Sequence, residues 1–349
     1  MSGFIASLTD RLVKRDPVSV VGGETQSFLA GALVDPPVSM REYSGVINYE
    51  PTELVLTARA GTTLLEIQNL LTASKQMLPF EPPIYDVEST LGGTIATGLS
   101  GPRRIQLGSV RDAILGVRLI NGLGQHLKFG GEVMKNVAGY DISRLSVGAY
   151  GTLGILTDIS IKVLPAPENE QTRVFSVDAQ GALSMLAAMG RSPYPVSAAT
   201  WVDGRLYVRL SGNSRGVDAA AAAIGGDCFD DADDFWHSIR QHRHAAFCRP
   251  NQWLWRLSVP ATTAIEACPA TIIDWAGAQR WVFAPPDDFS LFADAARVGG
   301  HAMCFAKDRS AGTGLQPLEP ALARLNQRVR NAMDPYHLIN RGRLFEVAS

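Results

Sequence analysis

The chain has 349 residues, of which 46% are hydrophobic and 19% charged, and its formal net charge is −2. Apolar residues in this proportion are enough for a sizeable core, and the length is typical of two domains. A net charge this close to zero gives no basic surface for nucleic acid or for an anionic membrane.

The sequence also bears on localisation and on metals. The first residues do not resemble a signal peptide, and no apolar run approaches the length of a membrane span. We therefore expect a cytoplasmic protein, which could lie at the inner face of the membrane only through partners. Cys228, Cys248, Cys268 and Cys304 match no metal-ligand spacing, so we expect small buried thiols and no metal site.

The first elements form a strand, a turn and a helix. Residues 18–23 (VSVVGG) predict a buried strand, and the hydroxyl-rich turn that follows is a candidate phosphate loop. A second strand is predicted at 53–58. Residues 64–75 have apolar side chains at helical spacing, and Thr63 is placed to cap that helix.

The most informative stretch is 91–101 (LGGTIATGLSG), followed by Pro102, Arg103 and Arg104. Each of its four glycines loses more backbone entropy on folding than another residue would, so the cluster indicates a role that requires the absence of side chains. One such role is to let peptide N–H groups close on a phosphate, assisted by hydroxyl groups. The alternative is a tight packing turn between core segments.

The remaining pattern predicts two further units. Residues 110–121 and 125–129 indicate a hairpin, and a strand at 155–164 runs out to Pro165 and Pro167. Beyond these prolines, strands at 174–177, 205–212, 254–259 and 280–284 alternate with helices at 179–190, 216–225, 233–247 and 288–298. This order is typical of an α+β domain whose antiparallel sheet is covered on one side. A last amphipathic helix is predicted at 321–333.

Two common nucleotide fingerprints are absent from the sequence. No GxGxxG follows a strand, and no GxxxxGK[ST] occurs. A nucleotide cofactor would therefore have to be held by several separated loops.

Several segments together resemble a known family: STLGGTIATGLSGPRR, FGGEVMKNVAGYDISRL and GTLGILTDISIKVLP. They are similar to the FAD domain of the vanillyl-alcohol-oxidase (PCMH) type, and more closely to the FAD-binding subunits of bacterial glycolate oxidase, also called glycolate dehydrogenase. The resemblance implies an α+β fold. Residues 1–168 would be a PCMH-type domain of two α/β subdomains, residues 169–310 a cap domain, and residues 311–349 a helix and tail returning to the FAD domain.

The resemblance also implies how FAD would be held. The loop 22–27 and the stretch 90–101 would bind its pyrophosphate through backbone N–H groups, and 148–155 would lie along the adenosine and ribityl part. Glu24 is electrostatically awkward there unless it points away. Neither loop contains a histidine or cysteine for covalent attachment, so we expect dissociable FAD. The predicted cofactor-binding residues are Gly22, Gly23, Glu24, Thr25, Pro83, Thr90, Leu91, Gly92, Gly93, Thr94, Ala96, Thr97, Gly98, Ser100, Gly101, Arg103, Arg104, Asn136, Tyr140, Gly148, Gly151, Gly154, Ile155 and Asn340.

Catalytic residues are less well defined. Lys135 would face the flavin or its substrate side, where a cation would stabilise the reduced flavin. His301 is the other candidate, although a structural histidine is the alternative. His242 and His244 fall in a predicted helix, where residues two apart diverge, so they are not expected to chelate a metal.

Three hypotheses for function remain open. In the first, the chain is the flavin subunit of a complex that oxidises glycolate or another small 2-hydroxy acid, with a larger flavin subunit and an iron–sulfur subunit as partners. In the second, it is a self-sufficient FAD enzyme for a hydroxy acid or a lactone. In the third, it is an assembly subunit with a vestigial flavin site.

Overall fold

A computed structural model describes residues 2–131, 140–306 and 314–344. The predicted site residues Lys135 and Asn136 lie outside the described residues. Within these ranges no helix is long and apolar enough to cross a bilayer.

The N-terminal half is built around an antiparallel sheet with the strand order β3-β4-β8-β6-β7, five strands within the described ranges. A parallel pair, β1-β2, and a small antiparallel pair, β5-β9, accompany it. The strands are β1 (Ser19–Val21), β2 (Pro37–Ser39), β3 (Val46–Glu50), β4 (Val55–Arg59), β5 (Gln76–Met77), β6 (Ile114–Ile120), β7 (His126–Gly130), β8 (Ile155–Lys162) and β9 (Leu164–Pro165). The helices are α1 (Ser2–Val13), α2 (Leu64–Ala73), α3 (Leu91–Thr97), α4 (Arg104–Leu107), α5 (Val110–Ala113) and α6 (Ile142–Leu145).

The core of this half lies between the sheet and α2. Strand β8 is at its centre, and Ile155, Ile159 and Ile161 are fully buried. They share one hydrophobic cluster with Leu64 and Ile67 of α2. Helix α2 begins where predicted because the Thr63 hydroxyl accepts a hydrogen bond from the Glu66 N–H at 3.2 Å.

The C-terminal half contains an antiparallel sheet in which eight described strands follow the order β13-β10-β12-β11-β15-β16-β14-β17. The strands are β10 (Asn169–Ser176), β11 (Val196–Val202), β12 (Arg205–Gly212), β13 (Asp227–Cys228), β14 (Trp253–Ser258), β15 (Ile272–Asp274), β16 (Gln279–Ala284) and β17 (His301–Cys304). The helices are α7 (Ala179–Met189), α8 (Ser214–Ile224), α9 (Ala232–Arg240), α10 (Ser290–Arg297) and α11 (Pro320–Met333).

Both faces of the larger sheet are covered, so the expectation of a sheet covered on one side is wrong. Helices α7, α8 and α10 pack on one face. On the other face, α9 and side chains from the N-terminal half, including Leu29, Leu99 and Tyr150, join sheet residues such as Trp281 in one hydrophobic cluster. We call this second face the inner face. It brings the two halves of the chain into contact.

Three local expectations are also corrected. Residues 110–113 form the helical turn α5, capped by Ser109 and Asp112, instead of the start of a strand. Helix α9 ends at Arg240, because His242 has a φ of +52° and turns the chain, so His242 and His244 are not on a helix. Cys228 and Cys248 are exposed, whereas Cys268 and Cys304 are buried.

After α11 the chain returns to the N-terminal half. Ile339 forms a parallel bridge with Val18, and Arg341 forms an ion pair with Asp35. The α+β class is confirmed, and the domain limits 1–168, 169–310 and 311–349 stay a prediction.

Candidate functional site

The two glycine-rich segments singled out in the sequence pack directly against each other. A Cβ atom on Gly22 would lie 2.2 Å from the Thr90 Oγ1, and one on Gly23 would lie 1.8 Å from the Glu88 carbonyl oxygen. The Thr25 and Ser89 hydroxyls are hydrogen-bonded at 3.0 Å. Only glycine at 22 and 23 therefore allows this close approach of the loop to the start of α3.

The loop after β1 presents unpaired backbone donors. In the described part of the chain, the N–H groups of Gly23, Glu24 and Thr25 donate no hydrogen bond to another residue. Glu24 has a φ of +53°, a left-handed conformation that turns successive N–H groups toward one side. Such a turn is suited to an anion.

The first three N–H groups of α3 already have acceptors, so the expectation of phosphate-binding amides in 90–101 does not hold for residues 91–93. The N–H groups of Leu91 and Gly92 already donate to the Thr62 and Ala60 carbonyl oxygens at 2.9 and 2.8 Å. The Gly93 N–H donates to the capping Thr90 hydroxyl at 3.2 Å. Gly92 is required for packing, since its Cβ would lie 2.8 Å from the Cβ of Ala60.

Between these segments lies a cleft of about 820 Å³, including its part open to solvent. Small residues of α3 (Gly93, Ala96 and Thr97) form one wall, so a ligand can approach the helix closely. The Thr97 hydroxyl is hydrogen-bonded to the Gln26 side chain and ties this wall to the loop. The predicted residues that line the cleft are Gly22, Gly23, Glu24, Thr25, Thr90, Gly92, Gly93, Thr94, Ala96, Thr97, Gly151 and Asn340.

The C-terminal tail closes one end of the cleft. Asn340 is buried; its Oδ1 accepts from the Val20 N–H at 2.8 Å, and its Nδ2 donates to the Tyr150 carbonyl oxygen at 3.1 Å. A Cβ on Gly151 would lie 2.3 Å from that Nδ2. Asn340 therefore holds β1 and the turn at 150–151 together.

Among the described residues that line the cleft, Arg343 is the one with a positively charged side chain. It was not predicted as a site residue from the sequence. It lines the cleft, and its Nη1 donates to the Gly31 carbonyl oxygen at 3.3 Å. Burial lowers the pKa of Arg343, and the charge of the exposed Glu24 opposes that change. The unfavourable effect of Glu24 on an anion is therefore offset by a neighbouring guanidinium.

Gln26 and Ser27, which belong to the predicted loop 22–27, also line the cleft. Other lining residues were missed, because they come from six separate places in the chain and carry no motif. They are Val20, Val21, Ala30, Met40, Ala60, Tyr150 and Leu156.

Several predicted residues lie outside the cleft lining. Leu91 and Ile155 are fully buried in the core, and the side chain of Tyr140 is 93% exposed. Gly98 ends α3 in a left-handed conformation, and the Ser100 hydroxyl accepts from the Val110 N–H. The remaining ones also have no place in the lining: Pro83, Gly101, Gly148 and Gly154.

Arg103 belongs to a buried ion-pair network away from the cleft. Its guanidinium contacts Glu81 at 3.6 Å and Glu170 at 2.7 Å, and Arg209 of β12 binds Glu81 through both carboxylate oxygens at 2.8 and 3.0 Å. Burial raises the pKa of Glu81, but the charges of Arg209 and Arg103 outweigh it and hold that pKa below its usual value. Arg103, which was predicted to bind the cofactor, therefore forms ion pairs with Glu81 and Glu170.

Arg104 and His301 are near enough for the charge of Arg104 to act on the imidazole. The Arg104 guanidinium stacks on the Trp275 ring at 4.1 Å, and His301 is the first residue of β17. Partial desolvation and the charges of Arg256 and Arg104 lower the pKa of His301. Neither Arg104 nor His301 lines the cleft.

Comparison with known proteins agrees with this geometry. Residues 10–130 match the family described as an FAD binding domain. The chain is 42% identical over 344 residues to the glycolate oxidase subunit GlcE of Escherichia coli (strain K12), covering 98% of this chain and 96% of that protein.

More distant relatives match over part of their length. A D-lactate dehydrogenase of Anaerostipes hadrus is 30% identical over 46% of this chain and 34% of its own length. The glycolate oxidase subunit GlcD of Bacillus subtilis (strain 168) is 32% identical over 36% of this chain and 27% of its own length.

The overall fold is also found in a solved structure. An alkyldihydroxyacetonephosphate synthase superposes with a TM-score of 0.64 at 15% identity, covering 96% of this chain and 73% of that one. The fold is therefore that of the PCMH-type FAD-binding proteins, as expected from the sequence. Because the chain is 42% identical to the glycolate oxidase subunit GlcE over nearly the whole length of both proteins, it belongs to the GlcE family. FAD is its cofactor.

Proposed function

We propose that this chain is the FAD-binding subunit of a complex that oxidises glycolate or a closely related 2-hydroxy acid. The observation that carries the proposal is the cleft between the loop 22–27 and α3 in a chain that shares 42% identity with GlcE along its length. In this proposal the cleft would hold FAD, which would supply the redox chemistry that links oxidation of the hydroxy acid to an iron–sulfur partner.

The residues of the cleft fit FAD. The three unpaired N–H groups of Gly23, Glu24 and Thr25 suit the diphosphate, and Arg343 supplies positive charge beside them. The small residues of α3 leave room for a flat, extended molecule. Among the described residues, those that line the cleft include no histidine or cysteine, and dissociable binding is part of the proposal.

Each part of the chain has a separate task in this mechanism. The loop 22–25 and Arg343 would anchor the diphosphate, and Asn340 would keep the two sides of the cleft in register. The inner face of the larger sheet, with α9, would exclude water from the cofactor. When bound, FAD supplies the two-electron oxidation of an alcohol and the release of electrons to a partner.

The proposed partners are a related larger flavin subunit and an iron–sulfur subunit, and the proposed location is the cytoplasm. Within the described residues no group of three or more His, Cys, Asp and Glu side chains could hold a metal ion. The proposal therefore assigns the cluster to another chain, through which the complex could contact the membrane.

The experiment is purification of the full chain from its native host, alone and with its partners. We expect a yellow protein with flavin absorbance bands that releases intact FAD on denaturation. The complex should oxidise glycolate with an artificial acceptor, and the chain alone should not. Turnover by the chain alone would instead identify a self-sufficient oxidoreductase, and a colourless chain that takes up no FAD would identify a vestigial site.

A further inference from the structure

One arginine of the inner face is placed unlike the others. Arg256 lies on β14, opposite Met303 of β17 and Trp281 of β16. Side chains that are opposite each other in adjacent antiparallel strands share a face, so Arg256 points to the inner face with them. Its guanidinium lies 5.2 Å from the centre of the Phe305 ring.

Arg256 has no anionic partner within the described residues. Its Nε is shielded from solvent and meets no acceptor, and its Nη2 contacts only the weakly accepting Met303 sulfur at 3.7 Å. Burial lowers the pKa of Arg256. A guanidinium that is desolvated without a counter-charge is costly, which indicates a missing anion.

Two further positive or protonatable groups are close to Arg256. The charge of Arg104 acts on Arg256, and the charges of both arginines act on His301. Neither Arg104 nor Arg256 forms an ion pair within 4.0 Å in the described part of the chain. We call Arg104, Arg256 and His301 the cationic cluster.

The cationic cluster adjoins the cofactor cleft. Tyr150 lines the cleft, and it is also close enough to Arg256 to raise the pKa of that guanidinium. Aromatic and thioether groups (Trp275, Phe305 and Met303) flank the arginines. Besides these apolar neighbours, the guanidinium groups and the nearby phenols of Tyr85 and Tyr150 are the polar contacts for a small anion.

We propose that the cationic cluster binds the carboxylate of a small 2-hydroxy or 2-oxo acid beside the cofactor cleft. A guanidinium offers two parallel N–H donors that match the two oxygens of a carboxylate, and apolar surroundings strengthen that pairing. Arg256, which is half-buried, supplies the central contact, and the solvent-exposed Arg104 and His301 are supporting donors. The choice of a carboxylate rests on the proposed function, since glycolate is such an anion.

The test is calorimetric titration of the FAD-loaded full chain with glycolate, oxalate and glycolamide. Glycolamide has the shape of glycolate but lacks the charge. We expect both carboxylates to bind and glycolamide not to bind. Arg256→Gln should weaken carboxylate binding at least tenfold without lowering the melting temperature or the FAD content. Arg256→Lys should keep part of the affinity.

The matched control is Arg297→Gln, which removes an exposed arginine on α10, on the opposite face of the sheet. It should leave carboxylate affinity unchanged. If Arg256→Gln does not fold, Arg104→Gln and His301→Asn test the same site, and each should weaken binding by a smaller factor.

Three results would overturn the inference. Carboxylates could bind Arg256→Gln as tightly as the parent chain, the FAD-loaded parent chain could bind no carboxylate, or the substitution could release FAD and leave carboxylate affinity intact. In the first two cases the proposed function as a flavin subunit would still stand. A chain that takes up no FAD would contradict the proposed function, and carboxylate titration of that apoprotein would then decide the inference separately.

Discussion

Two sets of arginines at the inner face of the larger sheet, each with one residue from the start of α4 and one from a strand, differ in their partners. Arg103 and Arg209 share Glu81, and Arg103 also binds Glu170. Arg256 and Arg104, a short distance away, have no described carboxylate in contact. The positive charges of Arg103 and Arg209 are balanced by carboxylates of the same chain. The guanidinium groups of Arg256 and Arg104 keep N–H donors available for an external anion.

The difference separates a structural role from a ligand-binding role. In the network, Glu81 comes from the loop before α3, whereas Arg209 comes from β12, so their bidentate pair joins the two halves of the chain. Removal of one member would leave the others buried and uncompensated. For Arg256 the uncompensated state is already present, so its loss should affect a ligand more than the fold.

The largest expected effect is on the network. Glu81→Ala would leave Arg209, whose side chain is 5% exposed, without its counter-charge. We expect the free energy of unfolding to fall by about 3–5 kcal/mol. Urea denaturation measures it, with the exposed Glu53→Gln as the control. A loss below about 1 kcal/mol would contradict a stabilising role for the network.

The second-largest expected effect is a loss of FAD from the cleft, with the ion-pair network of Glu81 left unchanged. Gly23→Ala would place a Cβ 1.8 Å from the Glu88 carbonyl oxygen and push the loop away from α3. We expect most of the bound FAD to be lost, as measured by flavin absorbance per protein. Gly3→Ala is the control, because nothing lies within 4 Å of a Cβ there. Full FAD content in Gly23→Ala would show that the close approach is not needed.

A third prediction uses pH to probe the buried acid beside the network. Burial raises the pKa of Asp274 to about 7. The folded chain therefore holds a proton that the unfolded chain loses near its ordinary pKa of 3.8, so the contribution of Asp274 to stability falls as pH rises from about 4 to about 7.

Asp274→Asn removes this ionisation. The free energy of unfolding of the variant, relative to the parent chain, should rise between pH 4 and pH 7 by an amount on the order of a few kcal/mol. Urea denaturation at four pH values checks it. A difference that stays constant over this range would mean that Asp274 titrates normally.

The smallest effect is expected at the end of the cleft. Arg343→Gln would remove the positive charge beside the loop 22–27 but keep a polar side chain. We expect FAD affinity to fall about tenfold, the equivalent of about 1.4 kcal/mol, because one charge-assisted contact is lost. Fluorescence titration of the apoprotein with FAD measures it. Arg297→Gln again serves as the control, and equal affinities would place Arg343 outside the cofactor site.

Much of the secondary structure could be predicted from local pattern. Helix α2, strand β12 and helix α11 agree with the predictions to within two residues, because their apolar spacing and caps are local properties. Strand β11 was missed because Ser197, Ala198 and Ala199 have low strand propensity. Its position between β12 and β15 stabilises it, which only the folded sheet supplies.

The sequence by itself determined the family, the cofactor and the two segments that form the cleft, since glycines 22, 23 and 92 report local close approaches. Only the tertiary structure decided which amides are free. The N–H groups at the start of α3 are used by Thr62 and Ala60, which are about thirty residues away in the chain. The tertiary structure also decided which arginines are paired, because an ion pair depends on which carboxylate lies nearby from another element. Arg103 forms ion pairs with Glu81 and Glu170, whereas Arg256 has no carboxylate partner among the described residues.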